Sequence, residues 1–246
     1  MQNEIKDTQV LMIVGMHRSG TSCLTGSLQQ DNLYLGEVHE KNPHNLKGNR
    51  ENQSIVDLND AVLRANDSSW DNPPTGPIVW DDNQRKIREA LIATISVAAS
   101  HHQSKYWGFK DPRSLLTLAF WQEGIEDLNF VGTFRHPLSV AKSLMRRSQM
   151  PVEEAVMLWR KYNIALLELW KKEKFPMLCF DVSNEKYIDD LTIVYETLGF
   201  DLTDSSSSFF SADLRINNQH MVDFELPLEV IALYDELIEA YNSQFN

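Results

Sequence analysis

The stretch Gly15-Met16-His17-Arg18-Ser19-Gly20-Thr21-Ser22 decides the fold, because it joins a short apolar run at residues 9–14 to a helix-like segment at residues 21–30. Its frame, G-x-x-x-x-G-x-S, is that of a phosphate-binding loop in which Thr21 stands where a lysine is usual. The glycines let backbone N–H groups turn toward one anion, and the helix N-terminus adds partial positive charge. The stretch therefore predicts strand, phosphate-binding turn and helix. A glycine turn that only reverses the chain is the alternative.

The residues that end this turn argue against ordinary ATP chemistry. In a kinase or ATPase the loop lysine lies on the β- and γ-phosphates, whereas here the cation has moved inside the loop, to Arg18. Ser22 occupies the position of the serine that holds magnesium, but no clear acidic partner follows a later strand. We predict that the turn binds a phosphate or a phosphate-like group. The alternatives are a nucleotide kinase or NTPase with a degenerate loop, and a non-catalytic nucleotide-binding or scaffold protein.

Outside the loop, short apolar strands alternate with longer helices. The predicted strands are 9–14, 106–109, 128–134 and 176–180, and the predicted helices are 21–30, 51–65, 82–100, 114–122, 137–147, 152–172, 185–198 and 228–241. This alternation is typical of α/β proteins with three layers, in which a parallel sheet has helices on both faces. We expect one domain over residues 1–246, with its core at 9–200 and a C-terminal tail and helix at 201–246. The polar connection at 31–49 has no predicted strand, and its length is typical of a lid or binding loop.

Composition excludes several classes of protein. Of 246 residues, 42% are hydrophobic and 24% charged, which are ordinary globular values. The net charge of −12 argues against a nucleic-acid partner, because such proteins usually carry a basic face. No apolar run approaches the roughly 20 residues that span a bilayer, and the N-terminus lacks the pattern of a signal peptide. With Cys23 and Cys179 expected to be reduced thiols, we expect a cytoplasmic location.

A second turn of the same kind carries Arg135-His136-Pro137 after the third predicted strand. Proline at the first helical position favours a helix, on which Ser139 and Ser143 share one face. Because the carboxyl ends of parallel strands meet at one edge of a sheet, Arg135 is predicted near Arg18. With Ser143 it would hold a second phosphate through its planar fork of donors. The alternative is a surface arginine near an aspartate.

Together the two turns resemble those of the PAPS-dependent sulfotransferase family, where PAPS is 3′-phosphoadenosine 5′-phosphosulfate. The family's 5′-phosphosulfate loop often reads R-S-G-T-[ST], matched at 18–22, and its 3′-phosphate element pairs R-x-P with a serine eight positions later, matched by Arg135 and Ser143. More narrowly, the chain resembles bacterial members with G-M-H-R-S-G-T-S followed by N-x-K-G-x-x-E-N. The second motif is matched by Asn45, Lys47, Gly48, Glu51 and Asn52. The resemblance covers roughly residues 9–200 and implies the P-loop-NTPase-like sulfotransferase fold.

The resemblance also implies a reaction, the transfer of SO₃ from PAPS to an acceptor hydroxyl or amine, which leaves adenosine 3′,5′-bisphosphate and requires no metal. Such a transfer depends on in-line positioning and charge stabilisation. The 5′-phosphate and sulfuryl oxygens are expected to contact Arg18 and the backbone N–H groups of Ser19, Gly20, Thr21 and Ser22. Arg135 and Ser143 are expected to clamp the 3′-phosphate, with Arg215 in place of the R-K-G element of some members.

Glu51 is the first candidate for the general base that takes the acceptor's proton, because it opens a predicted helix on the apolar face. A helix-capping glutamate is the alternative, and His44 and Asp111 are the other candidate bases. His17 either donates to the sulfuryl group or packs beneath it. Lys110 either contacts sulfuryl or acceptor oxygens or joins an internal salt-bridge cluster.

Cations follow three predicted strand ends, so the local field rather than the net charge decides anion binding there. They are Arg18, Lys110, Arg113 and Arg135. Asp111 either orients Arg18 or Arg135 or belongs to an internal salt-bridge cluster. Arg146 and Arg147 are predicted to form a solvated helix end.

The acceptor is expected to be a small-molecule, saccharide or lipid-type compound. Trp70, Trp80 and Trp107 either line its pocket or pack in the interior. The net charge of −12 disfavours a polyanionic acceptor and favours a neutral or small one.

Overall fold

A parallel sheet of five strands forms the centre of the protein. We describe a computed structural model over residues 9–39, 48–200 and 224–244. The strands are β1 (Gln9–Val14), β2 (Leu33–Tyr34), β3 (Tyr106–Lys110), β4 (Leu128–Phe134) and β5 (Met177–Cys179), in the spatial order β2-β3-β1-β4-β5. Every strand pair is parallel, and β1 lies in the middle between β3 and β4. The phosphate loop (residues 15–22) therefore leaves the sheet at its centre.

Helices cover both faces of this sheet. They are α1 (Thr21–Gln30), α2 (Gln53–Arg64), α3 (Asp82–His101), α4 (Leu118–Gly124), α5 (Pro137–Ser148), α6 (Val152–Glu173), α7 (Asn184–Leu198) and α8 (Leu228–Asn242). Local sequence explains several of their ends. Asp81 and Gln84 form a reciprocal capping box at the start of α3, and Gly199 ends α7 in the left-handed conformation.

The side chains of β1 alternate between two hydrophobic cores, as the period of two in a strand requires. Met12 and Val14 belong to the larger core, beneath α2–α6 and α8, whereas Leu11 and Ile13 belong to the smaller core, beneath α1 and α7. A strand buried on both faces reads as a continuous apolar run. The predicted three-layer α/β fold is therefore confirmed.

Two elements differ from the sequence prediction. β2 lies inside the connection at 31–49, where no strand was predicted, and Leu33 pairs with Tyr106 of β3. A strand of two residues is too short to give an alternating pattern. The predicted helix at 114–122 is divided into a 3₁₀ turn at Pro112–Leu115 and the later α4, and the Asp111 side chain accepts the Arg113 N–H at the start of the 3₁₀ turn. Within the described ranges, no helix is both long and apolar enough to cross a membrane.

Candidate active site

The phosphate loop depends on two glycines whose backbone is in the left-handed half of conformational space. Gly15 has a φ of 147°, and a Cβ there would lie 2.3 Å from the Thr133 carbonyl oxygen. Gly20 has a φ of 91°, and a Cβ there would lie 2.3 Å from the Phe180 ring. The Thr133 hydroxyl donates to the Ser19 carbonyl oxygen at 3.0 Å, which ties the loop to β4. Glycine is thus required by both conformation and space.

The phosphate loop leads into the N-terminus of α1, where several polar groups are available to bind an anion. The first N–H groups of a helix have no partner within the helix, and the first turn of α1 contains no acidic residue. Ser19 Oγ and His17 Nδ1 are buried without a hydrogen-bond partner in the described part of the chain. Ser22 differs, because its hydroxyl donates to the Asn49 carbonyl oxygen at 3.1 Å. The unpartnered groups suit the binding of an oxyanion. The Ser22 hydroxyl is instead already bonded within the protein.

Arg18 joins the two predicted anion-binding turns. Its Nε donates to Ser143 Oγ at 2.6 Å, although 125 positions separate the two residues. Its backbone has a φ of 68°, a conformation that is uncommon for a residue other than glycine. Burial lowers the pKa of the Arg18 guanidinium, and the charges of Arg147 and Arg135 lower it further. The loop therefore holds a protonated arginine among other cations.

Arg135 lies at the end of β4, and Asp181 holds it there. Arg135 Nε is 3.1 Å from Asp181 Oδ1, and the other Asp181 oxygen accepts the backbone N–H of His136. The guanidinium stacks over the Phe180 ring, 5.3 Å from its centroid. Its side chain is 14% exposed, so the arginine has an aspartate partner yet is no surface residue. In the structure Ser143 contacts Arg18, and Arg135 stands at the same edge.

Glu51 and Lys110 form a buried ion pair at the end of β3. Lys110 Nζ donates to Glu51 Oε1 at 2.6 Å, and the two side chains are 2% and 13% exposed. Burial lowers the pKa of Lys110, and the Glu51 carboxylate opposes that shift. Helix α2 begins at Gln53 with Asn52 as its N-cap, so the interpretation of Glu51 as the helix cap is wrong. Its side chain points into the protein.

Asp111 holds Arg113 rather than Arg18 or Arg135. Its Oδ1 accepts from Arg113 Nη1 at 2.9 Å and its Oδ2 accepts from the buried Asn59 at 2.9 Å. Arg113 also pairs with Asp60 at 2.7 Å. Asp111 therefore belongs to an internal salt-bridge cluster, as one of the two interpretations predicted. The other interpretation, that it orients Arg18 or Arg135, is wrong because its oxygens are occupied by neighbours from α2 and the 3₁₀ turn.

His17 packs inside a small aromatic cluster at the phosphate loop. Its ring centroid lies 5.0 Å from that of Trp70 and 5.8 Å from that of Tyr162. Burial lowers the pKa of His17 well below its usual value. The positive charges of Arg113, Lys110, Arg147 and Arg18 lower it further, in that order. The imidazole is therefore neutral at physiological pH, with one nitrogen protonated.

Comparison with known proteins decides the family. The model of the sulfotransferase family matches residues 11–203. The chain belongs to the sulfotransferase family. Membership supports an enzyme that transfers a sulfuryl group. A search of curated proteins gives no match.

Solved sulfotransferase domains share this fold. The sulfotransferase domain of the Synechococcus PCC 7002 olefin synthase is 17% identical, with a TM-score of 0.63, and the match covers 97% of this chain and 98% of that one. The sulfotransferase domain of the curacin biosynthetic pathway is 13% identical, with a TM-score of 0.63, and covers 94% and 98%. These likenesses confirm the sulfotransferase fold that the sequence predicted.

The three tryptophans of this sulfotransferase have different surroundings. Trp70 is half-buried and contacts the loop through His17, and its carbonyl oxygen accepts from Tyr162 Oη at 2.8 Å. Trp80 donates to Glu123 at 3.0 Å, and Trp107 is buried in the larger core. Trp70 is therefore the one of the three that borders the phosphate loop.

Sequence reasoning missed the partners of the site more than its cations. Asp181 follows the end of β5, and Tyr162 lies within the long helix α6. The position of Asp181 after a strand end was a usable signal, whereas Tyr162 lay among many apolar residues of α6. The candidates His44 and Arg215, and Asn45 and Lys47 of the N-x-K-G-x-x-E-N motif, lie outside the described residues.

Proposed function

We propose that this sulfotransferase moves a sulfuryl group from PAPS to a hydroxyl or amine of a small acceptor and releases adenosine 3′,5′-bisphosphate. The observation that carries the proposal is the 2.6 Å hydrogen bond from Arg18 Nε to Ser143 Oγ. This bond joins the two turns that the sequence predicts to bind phosphate, which supports a donor with two phosphate groups.

The donor would span these two turns. Arg18 and the N–H groups of Gly20, Thr21 and Ser22 would bind the 5′-phosphate and the sulfuryl oxygens. The Ser19 N–H donates to the Met16 carbonyl oxygen at 3.3 Å, so Ser19 would contribute its hydroxyl instead. The unpartnered Ser19 Oγ and His17 Nδ1 supply polar atoms that such an anion could satisfy. Arg135 and Ser143 would bind the 3′-phosphate, which distinguishes PAPS from ATP. Arg215 remains a proposed further contact.

In the transfer, the acceptor oxygen forms a bond to sulfur as the bond from sulfur to the phosphate oxygen breaks. Negative charge develops on that phosphate oxygen, where Arg18 and the helix N-terminus stabilise it. Glu51 would take the acceptor's proton, and Lys110, 2.6 Å away, keeps its carboxylate oriented. Lys110 would also contact sulfuryl or acceptor oxygens. His17, neutral, would donate one hydrogen bond to the sulfuryl group. Asp111 is a weaker base candidate because Arg113 and Asn59 occupy its oxygens.

The alternative of a nucleotide kinase or NTPase has less support. The hydroxyl in the position of the magnesium-binding serine, Ser22, donates to a backbone carbonyl, and no lysine is present at position 21. Our proposal requires no metal.

The acceptor we propose is a small-molecule, saccharide or lipid-type compound. We propose a cytoplasmic setting because neither cysteine forms a disulfide.

Ligand-dependent thermal stability tests the donor. Adenosine 3′,5′-bisphosphate in EDTA should stabilise the protein, by about 2.7 kcal/mol at 100 times its dissociation constant. ATP with magnesium is the matched comparison, because it carries a triphosphate but no 3′-phosphate. Stabilisation by ATP with magnesium and none by the bisphosphate would overturn the proposal.

A further inference from the structure

Arg147 lies one turn beyond Ser143 near the end of α5. Residues four positions apart on a helix are neighbours, with about 5–6 Å between their Cβ atoms. Helical side chains also lean toward the N-terminus, so each covers the turn before its own Cα. The Arg147 side chain is therefore directed toward the turn that carries Ser143, whose hydroxyl accepts from Arg18.

The charge of Arg147 acts on the phosphate loop itself. Its repulsion lowers the pKa of Arg18 more than that of Arg135 does, and it also contributes to the lowered pKa of His17. Charges at an exposed surface are largely screened beyond about 10 Å, and Arg147 is exposed. The helix geometry places Arg147 beside the turn whose Ser143 contacts Arg18, and the repulsion agrees with that placement.

Arg147 and Arg18 differ from the other cations at this edge because neither pairs with a carboxylate among the described residues. Lys110, Arg113 and Arg135 each pair with one, whereas no ion pair or hydrogen bond of Arg147 exists within residues 9–39, 48–200 and 224–244. The one hydrogen-bond partner of the Arg18 guanidinium among the described residues is a hydroxyl, that of Ser143. Two neighbouring guanidinium groups without a carboxylate between them form a local positive field that an anion relieves.

We propose that Arg147 is a donor-binding residue that contacts the same anion as Arg18, at the 5′-phosphosulfate end of PAPS. This inference rests on the proposed function and deepens it. Arg135, which Asp181 holds, remains with Ser143 the proposed contact of the 3′-phosphate. The hydrogen bond between Ser143 and Arg18 links that contact to the 5′ end, where Arg147 would act. The sequence predicts only a solvated helix end at this point. In our proposal the end of α5 is part of the donor site.

Ligands that carry one phosphate each locate the contact. The dissociation constants of adenosine 3′,5′-bisphosphate, adenosine 5′-phosphate and adenosine 3′-phosphate are measured by calorimetry for the wild type and for Arg147→Gln. We expect Arg147→Gln to weaken the bisphosphate and the 5′-phosphate by a similar factor, about tenfold or more, as for a hydrogen bond between charged groups. The affinity for the 3′-phosphate should stay within about twofold.

The matched control is Arg146→Gln, which removes the same charge one position away. The charge of Arg146 lowers the pKa of Lys142 rather than that of Arg18. The affinities of Arg146→Gln for all three ligands should therefore stay near those of the wild type. An unchanged 5′-phosphate affinity in Arg147→Gln, a selective loss of the 3′-phosphate, or equal losses in both variants would overturn the inference. A wild type that does not bind the bisphosphate would instead overturn the proposed function.

Discussion

Cations after β3 are neutralised by carboxylates, whereas cations at the phosphate loop are not. Lys110 pairs with Glu51 at 2.6 Å, and Arg113 pairs with Asp60 at 2.7 Å and with Asp111 at 2.9 Å. These charges are satisfied before any ligand arrives. The ion pair with Lys110 also holds the Glu51 carboxylate in place.

At the loop, by contrast, positive charge is left for a ligand. Arg18 contacts a hydroxyl, and Arg147 has no ion-pair partner among the described residues. Arg135 is intermediate, since Asp181 pairs with it at 3.1 Å. The net charge of −12 therefore says little about this edge, because a few unpaired cations and oriented N–H groups set the local field. We therefore expect loss of a cation after β3 to lower stability, and loss of a cation at the loop to lower ligand affinity instead.

The largest expected effect is on turnover, through the carboxylate of the neutralised region. Glu51→Gln removes the proposed base and keeps the shape of the side chain, so the transfer rate should fall by about 10²–10⁴-fold. Affinity for adenosine 3′,5′-bisphosphate should not change. Release of the bisphosphate from PAPS, with a panel of small hydroxyl and amine acceptors, measures the rate. Asp57→Asn, an exposed carboxylate on α2, is the control, and turnover undiminished in Glu51→Gln would remove the base assignment.

The second prediction compares one cation from each region. Lys110→Met leaves Glu51 without its partner, and loss of one member of a buried pair should lower the free energy of unfolding by about 3 kcal/mol. Arg18→Met removes a charge that already repels its neighbours, so stability should change by less than about 1 kcal/mol. Its affinity for the bisphosphate should instead fall by about ten- to a hundredfold.

Urea unfolding and calorimetry on both variants test this crossed pattern. The double variant Lys110→Met with Glu51→Gln is the control, because it removes both charges and should recover part of the lost stability. Equal loss of stability in Lys110→Met and Arg18→Met would show that the two regions do not differ as described.

The sequence was sufficient for the strand ends and their cations, because chain-local patterns determine both. A continuous apolar run followed by a glycine frame predicted β1, the loop and α1, and R-x-P predicted the turn after β4. The partners of the cations could not be predicted in the same way. Asn59 reaches Asp111 across 52 positions and Arg18 reaches Ser143 across 125, and no local pattern encodes such contacts.

The misplaced roles have the same origin. One interpretation assigned Asp111 to Arg18 or Arg135 because all three follow strand ends, yet a closer arginine, Arg113, lies two positions away and takes its Oδ1. The two-residue strand β2 depends on pairing with β3 rather than on its own composition. Sequence patterns thus predicted which residues reach the edge, and packing decided which of them meet.

The smallest expected effect is a dependence of stability on pH through His17. Cations of both regions lower the pKa of its imidazole. Its pKa in the folded protein is well below the usual value of 6.5, so the unfolded chain binds the proton first as pH falls. Stability contributed by the neutral imidazole is therefore complete above pH 6.5 and is lost below it. For a single such group the loss between pH 7.5 and pH 5.5 is about 1.4 kcal/mol.

Urea unfolding of the wild type and of His17→Gln at these two pH values isolates this contribution. His136 also has a lowered pKa, but it is present in both proteins and cancels in the difference. We expect the loss of stability on acidification to be smaller in His17→Gln by about 1.4 kcal/mol. With saturating adenosine 3′,5′-bisphosphate the difference should shrink, because a bound anion offsets the cations that surround the imidazole. An identical pH dependence in the two ligand-free proteins would mean that His17 is not held neutral by burial and these charges.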